Sequence, residues 1–334
     1  MKLYRDADAT LDHLHGKVVA ILGYGNQGRS WALNLRDSGL DVVVGNREDS
    51  YLVRARDDGF RALSIEGATR EADVLAILTT DESQPTVWEE SIVSLLRPGH
   101  TLVWASGYNV GYGIIEPPDG VDVVMVAPRT AGSEVRVLFE RGVGHLAAAG
   151  VHRDCSGKAW RTALCVALGI GATRGGVYES SFREEAELDL FAEQIVWPGI
   201  NAWIEQCFKL ATDAGLPPEL VVLELYASGE AADIFRLIAD EGFYRQLHHH
   251  STTARYGQLS RTPVFHSEEL AARAQELWSR DIRGGGFAKE WSEERQRGEA
   301  HLDKLWQETA HKPLADVERT LLPLLAEVRQ TTRL

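Results

Sequence analysis

The sequence predicts an α/β fold, a doubly wound parallel sheet, followed by a domain built of helices alone. Three observations carry that expectation. Short apolar, β-branched runs alternate with amphipathic stretches through the first half of the chain, the spacing of right-handed βαβ crossovers whose strands are buried on both faces. A glycine-rich hexapeptide joins the first apolar run to the first helix. Beyond about residue 183 the alternation ends and only helical periodicity remains.

In chain order, residues 17–23 read as a buried strand. Residues 30–38 read as a helix that turns Leu33 and Leu35 inward and closes at Gly39. The next strand and helix cover 41–45 and 51–58, the helix ending at Gly59, and residues 74–79, 101–105 and 121–126 supply three more strands. Helical periodicity then covers 184–215, 217–242 and 267–278. The expected domains are 1–181 and 182–330, with no low-complexity linker between them.

Composition narrows the function classes. At 334 residues the chain has room for about two domains with real cores. Its 44% hydrophobic and 25% charged residues exclude wholesale disorder. Lys and Arg number 35 against 49 Asp and Glu, a net charge of −14, which argues against binding a nucleic-acid backbone. Cys155, Cys165 and Cys207 are scattered and form no CxxC, so they read as reduced thiols of a cytoplasmic enzyme. No apolar run reaches the length of a membrane span, and the first residues lack the apolar core of a signal peptide.

The hexapeptide Gly23-Tyr24-Gly25-Asn26-Gln27-Gly28 fits G-x-G-x-x-G and lies between a strand and a helix. There the first glycine permits the tight turn, the second lets a pyrophosphate approach the backbone, and the third lets helix pack on strand. Free N–H groups and the helix dipole then favour the phosphates, so a nicotinamide dinucleotide is the expected cofactor. Residues 45–50, Gly-Asn-Arg-Glu-Asp-Ser, follow the second strand. Arg47 and Ser50 suit the 2′-phosphate of NADPH, whereas Glu48 and Asp49 suit the ribose of NADH. Both cofactors stay open at this point, with the balance toward NADPH.

Longer strings then resemble one family. Residues 22–28 (Leu-Gly-Tyr-Gly-Asn-Gln-Gly), 32–39 (Ala-Leu-Asn-Leu-Arg-Asp-Ser-Gly) and 42–45 (Val-Val-Val-Gly) closely resemble ketol-acid reductoisomerase. So do 125–128 (Met-Val-Ala-Pro), 189–194 (Asp-Leu-Phe-Ala-Glu-Gln) and 287–291 (Phe-Ala-Lys-Glu-Trp), a match over nearly the whole chain at the length of the short, single-knot form. The resemblance implies a Rossmann domain, a knotted helical domain, and homodimers or larger homo-oligomers that complete each other's active sites. It implies alkyl migration within a 2-acetohydroxy acid, followed by reduction with NADPH. It also implies two Mg²⁺ ions, hard cations suited to carboxylate ligands and to adjacent substrate oxygens.

Carried over residue by residue, Asp189 and Glu193 fall on the family's bridging aspartate and its glutamate partner. They stand four apart, on one helix face. The second carboxylate pair falls on Glu224 and Glu230, but two extra residues between the flanking anchors leave these six apart rather than four. On a regular helix they would point about 120° from coincidence, so a shared ion requires local distortion. Ser251 resembles the family serine that contacts substrate. Two positions depart from the pattern. Ser106 replaces a histidine and sits against the cofactor, and a hydroxyl cannot take over the imidazole's proton transfer near pH 7. Arg129 replaces a lysine; it keeps the charge but cannot deprotonate. Trp197-Pro198 stands where the family has smaller residues, and the run His248-His249-His250 cannot turn all its rings to one ion. The altered set leads to the expectation of a related oxidoreductase, reducing C=O or C=N of a small 2-keto-acid-like substrate other than the standard acetohydroxy acid. Arg129, Asp189, Glu193, Glu230 and Ser251 form its expected catalytic set. The alternative is an authentic reductoisomerase in which Ser106 and Arg129 are tolerated.

Overall fold

The computed structural model describes residues 1–332. The chain divides into two compact units, Met1–Asp189 and the residues from Leu190 onward. The first is built on an eight-stranded sheet: β1 (Val18–Leu22), β2 (Asp41–Gly45), β3 (Arg61–Leu63), β4 (Val74–Ile77), β5 (Thr101–Trp104), β6 (Asp122–Pro128), β7 (Leu146–Arg153) and β8 (Gly176–Glu179). Their order is β3-β2-β1-β4-β5-β6-β7-β8. Strands β1 to β6 run parallel, β7 pairs antiparallel with β6, and β8 runs parallel to β7. The wholly parallel sheet of the sequence reading is thus corrected at its far edge.

Strand alternation sorts the core onto two faces. Val19 and Ile21 join Leu14, Trp31, Leu35, Val103 and Val124 on one side. Ala20 and Leu22 join Leu75, Leu102, Trp104, Met125 and Phe182 on the other. Helix α1 (Asn26–Asp37) begins four residues before the predicted start, because the glycine loop itself forms its first turn. Leu33 and Leu35 turn inward as the spacing predicts. Helix α2 (Ser50–Asp57) is capped by the Asp49 carboxylate, which accepts from the N–H groups of Tyr51 and Leu52 at 2.8 and 3.3 Å.

The helix Phe182–Phe191 opens the second predicted domain, yet its first two turns pack with the sheet. Phe182 is buried beside Trp104, ring centroids 6.3 Å apart, and Ala186 is 2% exposed. Residues 182–189 therefore count with the first unit.

The second unit is helical throughout its described residues. Its inner cluster is Phe208, Val221, Val222 and Ala227, with Leu314, Val317, Leu321 and Leu325 packed against it. Three runs wind as wider π-helix: Ala192–Val196, Leu223–Ala227 and Trp278–Arg283. The predicted helix 217–242 breaks at Gly229, whose φ of 97° lies in the left-handed region that glycine alone enters cheaply. Among the described residues, no helix is long and apolar enough to cross a membrane.

Candidate functional site

Between β1 and β4 the order of the sheet reverses, and a crevice at the carboxyl ends of strands is where such sheets bind ligands. The three loop glycines have three distinct jobs there. Gly23, at φ 100°, makes the turn, and a Cβ on it would stand 2.6 Å from the Thr79 nitrogen. A Cβ on Gly28 would fall on the Gly23 carbonyl oxygen, so this residue sets how closely α1 packs on the strand. A Cβ on Gly25 would meet nothing within 4 Å. That open space lies at the uncapped N-terminus of α1. Gln27 Oε1 and the Thr79 hydroxyl, both buried near the loop, have no protein partner. Uncapped N–H groups, open space and two unsatisfied polar atoms fit a dinucleotide pyrophosphate. Tyr24 takes a narrower role than expected. Its ring is buried edge-on to Phe60, its hydroxyl donates to Asp58 at 2.9 Å, and its N–H donates to Asn46 Oδ1. The side chain of Tyr24 supports the loop from within the core.

The loop after β2 shows which of its charges are already used. Asn46 Nδ2 donates to Asp49 Oδ1 at 2.9 Å, and Arg47 Nε donates to Asp49 Oδ2 at 2.8 Å. Burial would raise the Asp49 carboxyl, but Arg47 and the capped N–H groups outweigh it and hold the group below its usual range. Asp49 is a helix cap. Arg47 is exposed and Ser50 begins α2, so both stay at the rim.

Past β4, β5 and β6 the chain gathers an acidic centre. The Arg129 guanidinium, just beyond β6, pairs with the buried Glu185 carboxylate and lies 3.6 Å from Asp189 Oδ1. Glu185 also accepts the Gly107 N–H at 2.6 Å. A Cβ on Gly107 would collide with the Phe182 carbonyl, so only glycine lets the β5 loop approach this helix so closely. The Ser106 hydroxyl accepts the Tyr108 N–H at 3.2 Å and lies near the Asp81 carboxylate. Gln84 Nε2 donates to Asp81 Oδ1 at 3.3 Å, while Gln84 Oε1 accepts from Asn109 and Trp104. Burial first, then the charges of Glu185, Glu82 and Asp189, push Asp81 up to about 6 against the pull of Ser106. Burial likewise raises Glu185, with Arg129 and the Gly107 N–H pulling back. Burial and the Asp81 charge push the Tyr108 phenol up to about 12, and its buried hydroxyl has no partner.

The structure thus brings together Ser106, Arg129 and Asp189 of the expected residues, and adds Asp81, Glu185 and Tyr108. A signal for Asp81 was present: an acid just beyond an apolar strand, at the carboxyl edge where such sheets bind ligands. Glu193 lies in the π-run Ala192–Val196 and Glu224 in the π-run Leu223–Ala227, while Glu230 begins the helix after Gly229. The helix between Glu224 and Glu230 is therefore distorted twice, and π-turns concentrate at functional sites. Ser251 caps the helix Thr252–Arg261, its Oγ accepting from Ala254 at 3.1 Å. His248, His249 and His250 turn to Arg255, Glu241 and Gln246 respectively. Among the described residues of one chain, no three His, Cys, Asp or Glu side chains gather as a closed metal site.

Comparison with known proteins places this geometry. Residues 13–176 match the family model described as acetohydroxy acid isomeroreductase, NADPH-binding domain, and residues 182–327 match ketol-acid reductoisomerase, C-terminal domain. The chain belongs to the ketol-acid reductoisomerase family. It is 43% identical over 326 residues to a ketol-acid reductoisomerase (NADP(+)) of Pyrobaculum calidifontis, covering 97% of this chain and 98% of that one. A putative ketol-acid reductoisomerase 3 of Saccharolobus solfataricus is 42% identical over 325 residues, covering 95% and 96% of the two chains. The structure of an NADH-preferring ketol-acid reductoisomerase from an uncultured archean superposes with a TM-score of 0.90 at 32% identity, covering both chains completely. As a ketol-acid reductoisomerase family member the chain is an NAD(P)H-dependent oxidoreductase, with a Rossmann-like unit followed by the family's helical domain. The substrate other than an acetohydroxy acid, expected from Ser106 and Arg129, finds no support among these full-length relatives.

Proposed function

We propose that the chain is a ketol-acid reductoisomerase in the full sense: it moves an alkyl group within a 2-acetohydroxy acid and reduces the resulting 3-hydroxy-2-keto acid. The observation that carries this is similarity above 40% along the whole length of relatives with that name, both domains included. NADPH is the preferred cofactor, because Asp49 is spent as a cap and Arg47, held to it through Nε, keeps an exposed guanidinium edge beside Ser50 for a 2′-phosphate. The NADH preference of one structural relative makes NADH the alternative to test.

The donor set fits Mg²⁺: Asp189 is half exposed at the edge of the acidic centre, and hard carboxylates suit a hard cation. Asp189 and Glu193 would hold the ion, with Glu224 and Glu230 contributed by a second copy of the chain. Bound there, Mg²⁺ supplies the field that polarises adjacent substrate oxygens, and NADPH supplies the hydride. Arg129 stays charged, compensates Glu185, and can receive a substrate carboxylate. The Gly107 N–H fixes Glu185, which positions Arg129 in turn. Ser251 meets the substrate from its helix N-terminus. The enzyme works in the cytoplasm as a homodimer or larger homo-oligomer.

Turnover with NADPH and Mg²⁺ on an acetohydroxy acid and on the matching 3-hydroxy-2-keto acid tests this reading. Comparable rates on both are expected. Turnover of the keto acid alone would return the altered catalytic set to prominence and overturn the proposal.

A further inference from the structure

We propose that Asn46 is a positioning residue that tilts the chain toward NADPH over NADH without touching either cofactor. The proposal rests on the NADPH reading and deepens it. Where a sheet of this kind binds NAD, an acid near the end of β2 takes the ribose 2′-hydroxyl. This chain has Asn46 one residue past β2, and its side chain turns inward, 7% exposed.

Both edges of that side chain are engaged. Oδ1 accepts the Tyr24 N–H at 3.1 Å, while Nδ2 donates to Asp49 Oδ1 at 2.9 Å and to the Arg47 carbonyl at 3.0 Å. One edge faces a donor and the other faces two acceptors, which a carboxamide satisfies and a carboxylate or an alkyl group does not. The main chain is pinned as well. The Asn46 N–H donates to the Leu63 carbonyl on β3 at 3.1 Å, and the Gly23 N–H donates to the Gly45 carbonyl at 2.8 Å. Asn46 thus joins the glycine loop, with its open space for a pyrophosphate, to the loop that would meet the adenine-side ribose.

The consequence falls on Asp49. Its carboxylate accepts from Asn46 Nδ2, from the N–H groups of Tyr51 and Leu52, and from Arg47 Nε. Four donors therefore hold the negative charge at the start of α2, and the exposed Arg47 guanidinium leaves its other edge to solvent. A phosphate at the 2′ position then meets a cation before it meets a carboxylate, and charge-assisted bonds to phosphate are strong. A ribose hydroxyl carries no charge and is far less sensitive to the same arrangement. Without the Nδ2 donor, Asp49 is held less firmly and carries Arg47 with it, and the loss falls on the cofactor that bears the phosphate.

Dissociation constants for NADPH and NADH, read by fluorescence titration of the whole chain without substrate or Mg²⁺, test this. Binding alone is measured, so the outcome does not depend on which acid is turned over. Asn46→Asp keeps the acceptor for Tyr24 and loses the donor to Asp49. It should weaken NADPH about 30-fold, the scale of a hydrogen bond to a charged group, and NADH by no more than about threefold. Asn46→Ala loses both edges without adding a charge. It should weaken both cofactors, NADPH about 10-fold more than NADH. In an Asp49→Ser background, where a serine still caps α2 but no carboxylate needs holding, Asn46→Ala should weaken the two cofactors equally. Equal weakening of both cofactors in Asn46→Asp and Asn46→Ala would make Asn46 a prop of the glycine loop and overturn the proposal. A ratio that still shifts in the Asp49→Ser background would overturn it too. Asn46→Asp has the wild-type shape and keeps the ratio readable if Asn46→Ala does not fold. A wild-type chain that binds NADH more tightly would overturn the NADPH reading instead, and the shift of the ratio in the variants would still decide the role of Asn46.

Discussion

The two units of the chain settle their hydrophobic burial in opposite ways. The sheet unit closes on itself: Ile21, Trp31, Leu102, Trp104 and Met125 are fully buried on its two faces. The helical unit keeps a small inner cluster around Phe208, Val221 and Val222. It leaves Trp203, Leu210, Phe235, Tyr256, Phe265 and Trp306 about half or more exposed in the single chain. Scattered exposed leucines need no explanation, but this many large apolar and aromatic side chains on one unit do. A sheet satisfies its strands from both faces with its own helices. A set of helices with a small inner cluster leaves apolar surface that gains from being covered by a partner surface.

The largest effect should come from breaking the closed core. Trp31→Ala leaves a cavity under α1 and should cost about 3–5 kcal/mol in urea unfolding, whereas Phe235→Ala in an isolated chain should cost under about 1 kcal/mol. Equal costs would erase the contrast between the units. Next, Trp203→Asp places a charge in an aromatic pair, centroids 5.0 Å from Phe265. If a second copy covers that face, sedimentation should show self-association weakened by about 100-fold or more, near 2.7 kcal/mol, with NADPH binding intact. Unaltered association would place the interface elsewhere.

Within the closed unit, Gly25→Val should raise the NADPH dissociation constant about 100-fold, because the added methyls enter the open space of the loop. Its melting temperature should hold, in contrast to Gly28→Val, where backbone stands in the way. Unchanged affinity in Gly25→Val would place the pyrophosphate elsewhere. The smallest effect concerns stability and pH. Asp81 is raised on folding, so its contribution is present below the unfolded value of 3.8 and is lost as pH rises through about 6. Neutralising it in Asp81→Asn should therefore stabilise the fold by about 1–2 kcal/mol at pH 7.5 and by almost nothing at pH 4. Denaturation at the two pH values checks this; a less stable variant at pH 7.5 would mean the carboxylate is a structural anchor.

Legibility varied with how much chemistry a short stretch holds by itself. The strands at 17–23, 41–45 and 101–105 were legible because buried parallel strands are continuous apolar runs. β7 was not: Leu146-Ala-Ala-Ala-Gly-Val is poor in strand formers and is Ala- and Gly-rich because it lies close to its neighbours. A Cβ on Gly150 would fall on the Ser180 carbonyl. β3, at three residues, is too short to show a period. Arg129 and Asp189 could be picked out from strings resembling the family, but not their link through Glu185, which joins residues 56 apart.

By itself the sequence determined the strand and helix alternation, the glycine loop and the acids placed at helical spacing, because each depends on residues within a turn or a strand of one another. The tertiary structure decided which of those groups meet. Asp81, Ser106, Arg129 and Glu185 come from four segments: the sheet brings the carboxyl ends of β4, β5 and β6 to one crevice, and the helix Phe182–Phe191 carries Glu185 to them. It also decided their chemistry. A carboxyl's proton affinity depends on burial and on charges across space, so the difference between Asp49, held low as a helix cap, and Asp81, pushed up among other acids, exists only once the chain has folded.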